Sequence, residues 1–323
     1  EPPKVRSGVD GETGSVMAAN ERRDALVAAG RHQTGMCGFV IDETIVPSIR
    51  HATGLAFYDD STGIMLYRRP LAGQIWKKVF YLSSSILPPK HINVNLQNHF
   101  QYYADRLESL GHETVSQLFL MNNIGSIYLS GRVLYKNYAL DAENGFLTFF
   151  FVENPYVILA ERIMILANIK KMGNAEMIIG PRDALAFRPA MDFASALTLD
   201  DDRALKGAFR DLSPAVATVF VDPVLRLLTT STPHEMARTG AVAWALDTLA
   251  TFAVVGTRDD PGYFADTIAA TLELSETSVP PPPMFTTVSD LASRLEASRA
   301  VDHLIDKDLE LYDFVRRAFS NEG

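Results

Sequence analysis

The chain has 323 residues, 47% hydrophobic and 21% charged, with a formal net charge of −9, which suits a folded domain with a sizeable core and excludes a disordered chain. The acidic balance counts against nucleic-acid binding and against docking on an anionic membrane. One cysteine, Cys37, allows no disulfide within the chain; with no early segment laid out like a signal peptide, a cytoplasmic location is expected.

Residues 1–15 are rich in Gly and charge and read as a poorly ordered tail. Residues 16–30 are Ala-rich and stop at Gly30, the pattern of a helix. Residues 1–35 are therefore expected to be a tail and helix, ahead of a single α/β domain over 36–323 with helical insertions and C-terminal helices. Cys37, inside Met36-Cys37-Gly38-Phe39-Val40, reads as a buried inert thiol. Residues 38–46, 54–58 and 63–67 are short, apolar and aromatic, and read as strands. The turn residues Asp59-Asp60-Ser61-Thr62-Gly63 make the last two a hairpin.

After Arg68-Arg69-Pro70-Leu71-Ala72-Gly73, residues 74–82 have the look of a buried helix, so residues 63–82 read as strand, small-residue loop, helix. That layout puts free backbone N–H groups at a helix N-terminus, ready for an anion. Residues 83–98 look irregular around Pro88-Pro89, residues 100–110 helical, and residues 115–121 like a strand. Residues 146–152 (FLTFFFV) are apolar on both faces, as in a central covered strand. Asn154 and Pro155 then suit the cap and first position of a helix that ends near Lys170, Lys171 and Gly173.

Residues 183–239 read as mostly helical, with Asp200-Asp201-Asp202 as a solvated helix start rather than a metal site. Residues 241–255, the longest apolar stretch, carry Asp247 and are too short to span a bilayer; they read as a buried helix running into a strand at 252–256. Residues 262–274 are a further helix and Pro280 to Pro283 a stiff extended connector. Two helices close the chain, the last with Leu309, Tyr312, Val315 and Phe319 on one stripe. The strand–helix alternation implies an α/β fold: a central, mostly parallel sheet flanked by helices.

Three blocks in order resemble the sulfotransferase family, over roughly residues 55–320. The first is Tyr67-Arg68-Arg69-Pro70-Leu71-Ala72-Gly73-Gln74-Ile75-Trp76, similar to the family's strand running into Pro-Lys-x-Gly-Ser/Thr-Ser/Thr and a helix. The second is Phe151-Val152-Glu153-Asn154-Pro155-Tyr156, similar to its Val-Arg-Asp/Asn-Pro. The third is Val254-Val255-Gly256-Thr257-Arg258-Asp259-Asp260 followed by a late helix through Asp306 to Tyr312. The resemblance implies the family's P-loop-like α/β fold, phosphoadenosine phosphosulfate as donor, and a small-molecule or carbohydrate acceptor. No nucleic acid and no membrane span are expected.

The departures fall on the residues the family uses. Its loop lysine position is Leu71, and its loop hydroxyl positions are Gln74 and Ile75; Gly73 remains. Arg68 or Arg69 is a candidate substitute cation, and Trp76 closes the block. The Arg that grips the 3′-phosphate is replaced by Glu153, a second Arg by Ile158 and the Ser by Glu161. A like-charge pair at ~4 Å costs on the order of 4 kcal/mol near a protein surface, and the swing from Arg to Glu removes several decades of affinity. The resemblance thus implies phosphoadenosine phosphosulfate, while Leu71, Glu153 and Glu161 disfavour it.

Asn98 stands at the family's usual acid position and cannot take a proton, which leaves His99 as a candidate general base; His91 and His112 are lesser candidates. No His-x-x-x-His or Cys-x-x-Cys spacing suggests zinc, so no metal is expected. Two readings stand: a transferase with an altered donor acting on a hydroxyl, or a non-catalytic relative that binds or scaffolds.

Overall fold

The computed structural model describes residues 2–70 and 72–320, with the backbone alone at Glu276. Eleven strands are present among the described residues: β1 (Lys4–Val9), β2 (Glu12–Ala18), β3 (Glu21–Arg22), β4 (Met36–Gly38), β5 (Leu55–Asp59), β6 (Met65–Arg68), β7 (Lys78–Leu82), β8 (Tyr102–Ala104), β9 (Ile127–Gly131), β10 (Phe146–Val152) and β11 (Val254–Thr257). They form a four-stranded sheet in the order β2-β1-β5-β6, a five-stranded sheet in the order β11-β10-β7-β9-β8, and the pair β3-β4.

The described residues divide into two compact units. One holds those up to Trp76 with Gln97–Ala104 and Ile124–Tyr128; the other holds Lys77–Leu96, Asp105–Asn123 and the described residues from Leu129 onward.

The first unit is built on antiparallel pairing of β1 with β2 and β5, and of β5 with β6. The expected hairpin over residues 54–67 is therefore present. Asp59 shapes its turn: Oδ1 accepts the backbone N–H groups of Ser61 (3.1 Å) and Thr62 (2.7 Å). Val5, Val46, Leu55 and Phe57 form a small core. The expected N-terminal tail and helix are not found. Residues 4–18 are a strand pair, and only Asp24–Ala28 is helical. Val5 and Ser7 point inward opposite β5, so pairing in the sheet overrides the helical propensity of the alanines.

The second unit carries the parallel strands. β10 pairs in parallel with β7 on one side and β11 on the other, with Phe149 opposite both Tyr81 and Val254. Burial on both faces explains the unbroken apolar run of β10. The expected helix over 74–82 is overturned: Lys78–Leu82 is strand β7. Its Val79-Phe80-Tyr81-Leu82 run is buried at every position, the environment that favours aromatic and β-branched residues in a sheet. The helix comes later, at Lys90–Leu96, within the stretch expected to be irregular. The expected strand over 115–121 is helix His112–Phe119, whose buried Val115, Leu118 and Phe119 follow the helical period. The expected helix over 100–110 is instead strand β8 and a short 3-10 turn at Leu107–Ser109.

The long helix Pro155–Met172 starts and stops as its sequence dictates. Asn154 Oδ1 accepts the Tyr156 N–H (2.9 Å), Pro155 takes the first turn, and Gly173 ends it at φ +69°. Its Leu159, Ile163 and Leu166 are fully buried in a core shared with Met191, Phe209, Phe220, Leu295 and Ile305. Asp201 caps Asp202–Arg210 by accepting the N–H groups of Arg203 and Ala204. Residues 241–255 are helix Ala241–Ala250 running on toward β11. The final helix, Asp302–Ser320, buries Leu311, Tyr312 and Val315. Among the described residues no helix is long and apolar enough to cross a membrane.

Candidate functional site

Because β7, β10 and β11 are parallel neighbours, their carboxyl ends (Leu82, Val152 and Thr257) share one edge. The loops that leave such an edge are where α/β sheets place ligands. The loop after β7 is Ser83-Ser84-Ser85, tied to the end of β9 by the Ser83 N–H donating to Gly131 O (3.0 Å). It leads through Pro88-Pro89 into Lys90–Leu96, so a strand–loop–helix unit exists one element downstream of the Gly73 loop.

The loop after β10 begins at Glu153, which is buried. Arg258, directly after β11, meets it in fork geometry. Arg258 Nε lies 2.8 Å from Oε1 and 2.9 Å from Oε2, and Nη2 bonds Oε2 as well. Arg258 Nη1 donates to Pro282 O (2.9 Å), and the guanidinium sits 4.9 Å from the centre of the Phe151 ring. Glu153 Oε1 also accepts the Asn154 N–H (2.9 Å). Both charges are therefore matched within the protein.

Glu161, two turns along the helix, accepts a hydrogen bond from Ser85 Oγ. Burial pushes its carboxyl above the usual range, and the Ser85 bond opposes that shift. Arg162 turns to carbonyls instead of carboxylates: Nη1 donates to Val219 O (2.6 Å) and Nη2 to Ser84 O (3.1 Å). Burial lowers it to about 9, with the nearby charge of Arg132 acting in the same direction. Its Nε has no hydrogen-bond partner among the described residues. His91, in the first turn of Lys90–Leu96, has a buried Nε2 that likewise meets none among them. Burial, assisted by the charge of Arg258, lowers His91 to about 4, so the ring is neutral at physiological pH.

No family model, no curated protein and no solved structure matches this chain. The site is therefore defined by its own residues.

The residues singled out from the sequence separate into two groups. Arg68, Arg69, Gly73, Gln74, Ile75, Trp76 and His99 belong to the first unit, and Glu153 and Glu161 to the second; Leu71 lies outside the described residues. Arg69 has a structural task, donating to Ala52 O (2.8 Å) and to Ile49 O. Arg68 Nη1 donates to Phe100 O (3.4 Å). Gly73 sits in a turn at φ +76° that leads to an extended segment and not to a helix, so the expected helix N-terminal cradle is absent there. Gln74 and Ile75 are buried, Ile75 N–H donates to His99 O (2.8 Å), and Trp76 is 66% exposed. His99 is half-buried at the end of a 3-10 turn.

Glu153 and Glu161 do come together, and the charge of Glu153 adds to the burial that raises Glu161. The groups that sequence reasoning passed over are Ser83 to Ser85 and Arg258. A signal for the serines existed: an apolar aromatic run followed by three small residues is a strand-to-loop pattern. Arg258 lay inside a quoted block without an assigned role. Its pairing with Glu153, 105 positions earlier, is set by the parallel register of β10 and β11. Among the described residues no group of three His, Cys, Asp or Glu side chains is placed to hold a metal ion.

Proposed function

We propose that this chain is a sulfotransferase-like protein that binds or scaffolds at the carboxyl edge of its parallel sheet and does not use phosphoadenosine phosphosulfate. The observation that carries the reading is the fork-like Glu153–Arg258 pair. By the resemblance, Glu153 stands where the family grips a 3′-phosphate with Arg. Here the position is a carboxylate, and the nearest guanidinium is already neutralised by it. An incoming dianion would have to break a buried pair and then face Glu153 and Glu161. Titration calorimetry with 3′,5′-adenosine bisphosphate tests this: no heat of binding at millimolar nucleotide is expected, and binding tighter than about micromolar overturns the reading.

A second reading, a transferase with an altered donor and a hydroxyl acceptor on a carbohydrate or small molecule, is favoured by one observation. His91 places a neutral imidazole at the strand–loop–helix unit, the form that can accept a proton from a hydroxyl, although its low value makes it a weak base. A nucleotide-activated donor that raises the melting temperature, and is consumed with a carbohydrate acceptor by the native protein but not by His91→Gln, would establish this second reading.

A further inference from the structure

The final helix is fastened to the body by two carboxylates that reach across to each other's element. Asp222 stands immediately before the helix Pro223–Thr229. Its Oδ1 accepts the N–H groups of Lys307 (3.2 Å) and Asp308 (3.3 Å), and its own N–H donates to Leu304 O (2.9 Å). Asp308, on the final helix, returns the arrangement: Oδ2 accepts the Val224 N–H (2.9 Å) and Oδ1 the Leu225 N–H (2.7 Å). Both residues are buried, at 3% and 2% exposure. Asp222 is held at φ +40°, a left-handed conformation that a non-glycine residue keeps only when its surroundings impose it. Just before Asp308, the helix departs from helical geometry at Ile305 (φ −130°).

The charges facing this pair come from three elements. On the final helix, Lys307 Nζ lies 4.0 Å from Asp222 Oδ2 while donating to Ala237 O (3.2 Å) in the preceding loop, and Asp306 adds a negative charge. Arg226, on Pro223–Thr229, spends its guanidinium on the carbonyls of Thr218, Pro233 and Glu235 (2.9 Å to the last). Arg162, on Pro155–Met172, spends two of its nitrogens on the carbonyls of Val219 and Ser84. No cation forms an ion pair with Asp308 among the described residues. Two buried carboxylates whose charges repel cannot both ionise cheaply. Burial and the charge of Asp222 push Asp308 up to about 7, and burial raises Asp222 also.

The same helix touches the candidate site at its start and near its middle. Tyr156 OH donates to Asp302 Oδ1 (2.8 Å), two residues after the Asn154 cap, and Tyr312 OH donates to Asp259 Oδ1 (3.0 Å), beside Arg258. We propose that Asp222 and Asp308 form a proton-operated clasp that holds the final helix against the candidate site and loosens it when the pair loses its proton. The ligand-gating part of this rests on the carboxyl-edge reading above; the clasp itself does not.

The sign follows from linkage. The folded protein holds a proton at Asp308 that the unfolded chain releases near the ordinary aspartate value. The stabilisation is complete at acidic pH and is lost as pH rises toward and through about 7. Hydrogen exchange of the full chain, followed by mass spectrometry and corrected for intrinsic rates, reads this directly. Protection of peptides 223–229 and 302–320 is expected to fall as pH rises from about 4 to about 7, by up to tenfold per pH unit, and to level off above that; the fall is expected to shrink in Asp222→Asn, which removes one of its two causes. Flat protection in the native protein, or an unchanged fall in the variant, overturns the clasp. Should the variant not fold, carboxyl-carbon NMR of the native protein decides: an aspartate titrating near 7 supports the clasp, and all aspartates titrating near 4 overturn it. Nucleotide binding at pH 6 would overturn the proposed function and leave the exchange result untouched, so the two failures are distinguishable.

Discussion

Glu153 and Arg258 close on each other across the carboxyl ends of β10 and β11, with both carboxylate oxygens within 2.9 Å of Arg258 Nε. Their side chains are 9% and 15% exposed. Removing one partner of such a pair strands the other charge away from water. Glu153→Ala is expected to cost about 3–5 kcal/mol, while the double change Glu153→Leu with Arg258→Met stays much nearer the native value. Denaturant unfolding of the two variants checks this; equal losses in single and double variants would contradict the pairing.

Asn154 holds the start of the helix that carries Glu161 and Arg162, through the Tyr156 N–H at 2.9 Å. Asn154→Ala is expected to lower stability by about 1 kcal/mol. Urea unfolding checks this, and a change indistinguishable from zero would mean the cap is dispensable.

How much of this was legible follows the same residues. The β10 run, the Asn154-Pro155 helix start, the Gly173 stop and the 241–255 helix-to-strand passage all stand where their patterns put them, because local chemistry alone decides them. The Lys78–Leu82 strand was not legible. Four consecutive apolar residues fit a buried helix or a buried strand equally, and only neighbouring strands arbitrate. That misreading put the expected strand–loop–helix unit around Gly73, whereas the strand and helix flank Ser83 to Ser85. The N-terminal strands were hidden for a related reason: β2 is largely exposed and shows no alternation. At the site, the carboxylate at Glu153 was readable from one position. Its cancellation by Arg258 was not, because the pairing depends on the register of two distant strands.

His91 carries the pH dependence of the loop after β7. Burial lowers its folded value to about 4, below the ordinary histidine range. The unfolded chain therefore takes up the proton first on acidification. Stability is expected to fall as pH drops from about 6.5 toward 4, and the contribution is absent in His91→Gln. A proton NMR titration of the ring should show a midpoint near 4; a midpoint near 6.5 would contradict the buried, unpartnered placement.

Gly256 lies in β11, two residues before Arg258, and a Cβ there would stand 2.5 Å from Phe264 Cβ. Gly256→Ala is expected to cost about 1–3 kcal/mol through overpacking, and to shift the Arg258 loop. Gly207, exposed within Asp202–Arg210 with nothing within 4 Å of its would-be Cβ, is the control: Gly207→Ala is expected to gain up to about 1 kcal/mol. Thermal unfolding of the two variants should move in opposite directions.

Glu153 and Arg258 match each other's charge at the carboxyl edge of β7, β10 and β11, and the proposed reading is that this edge does not hold 3′,5′-adenosine bisphosphate. Titration calorimetry with 3′,5′-adenosine bisphosphate tests it most directly, run on the native protein at about pH 6, where the Asp222–Asp308 clasp is closed. The account predicts no saturable heat up to millimolar nucleotide. A saturable isotherm with a dissociation constant below about 1 μM, some 8 kcal/mol of binding, would contradict it.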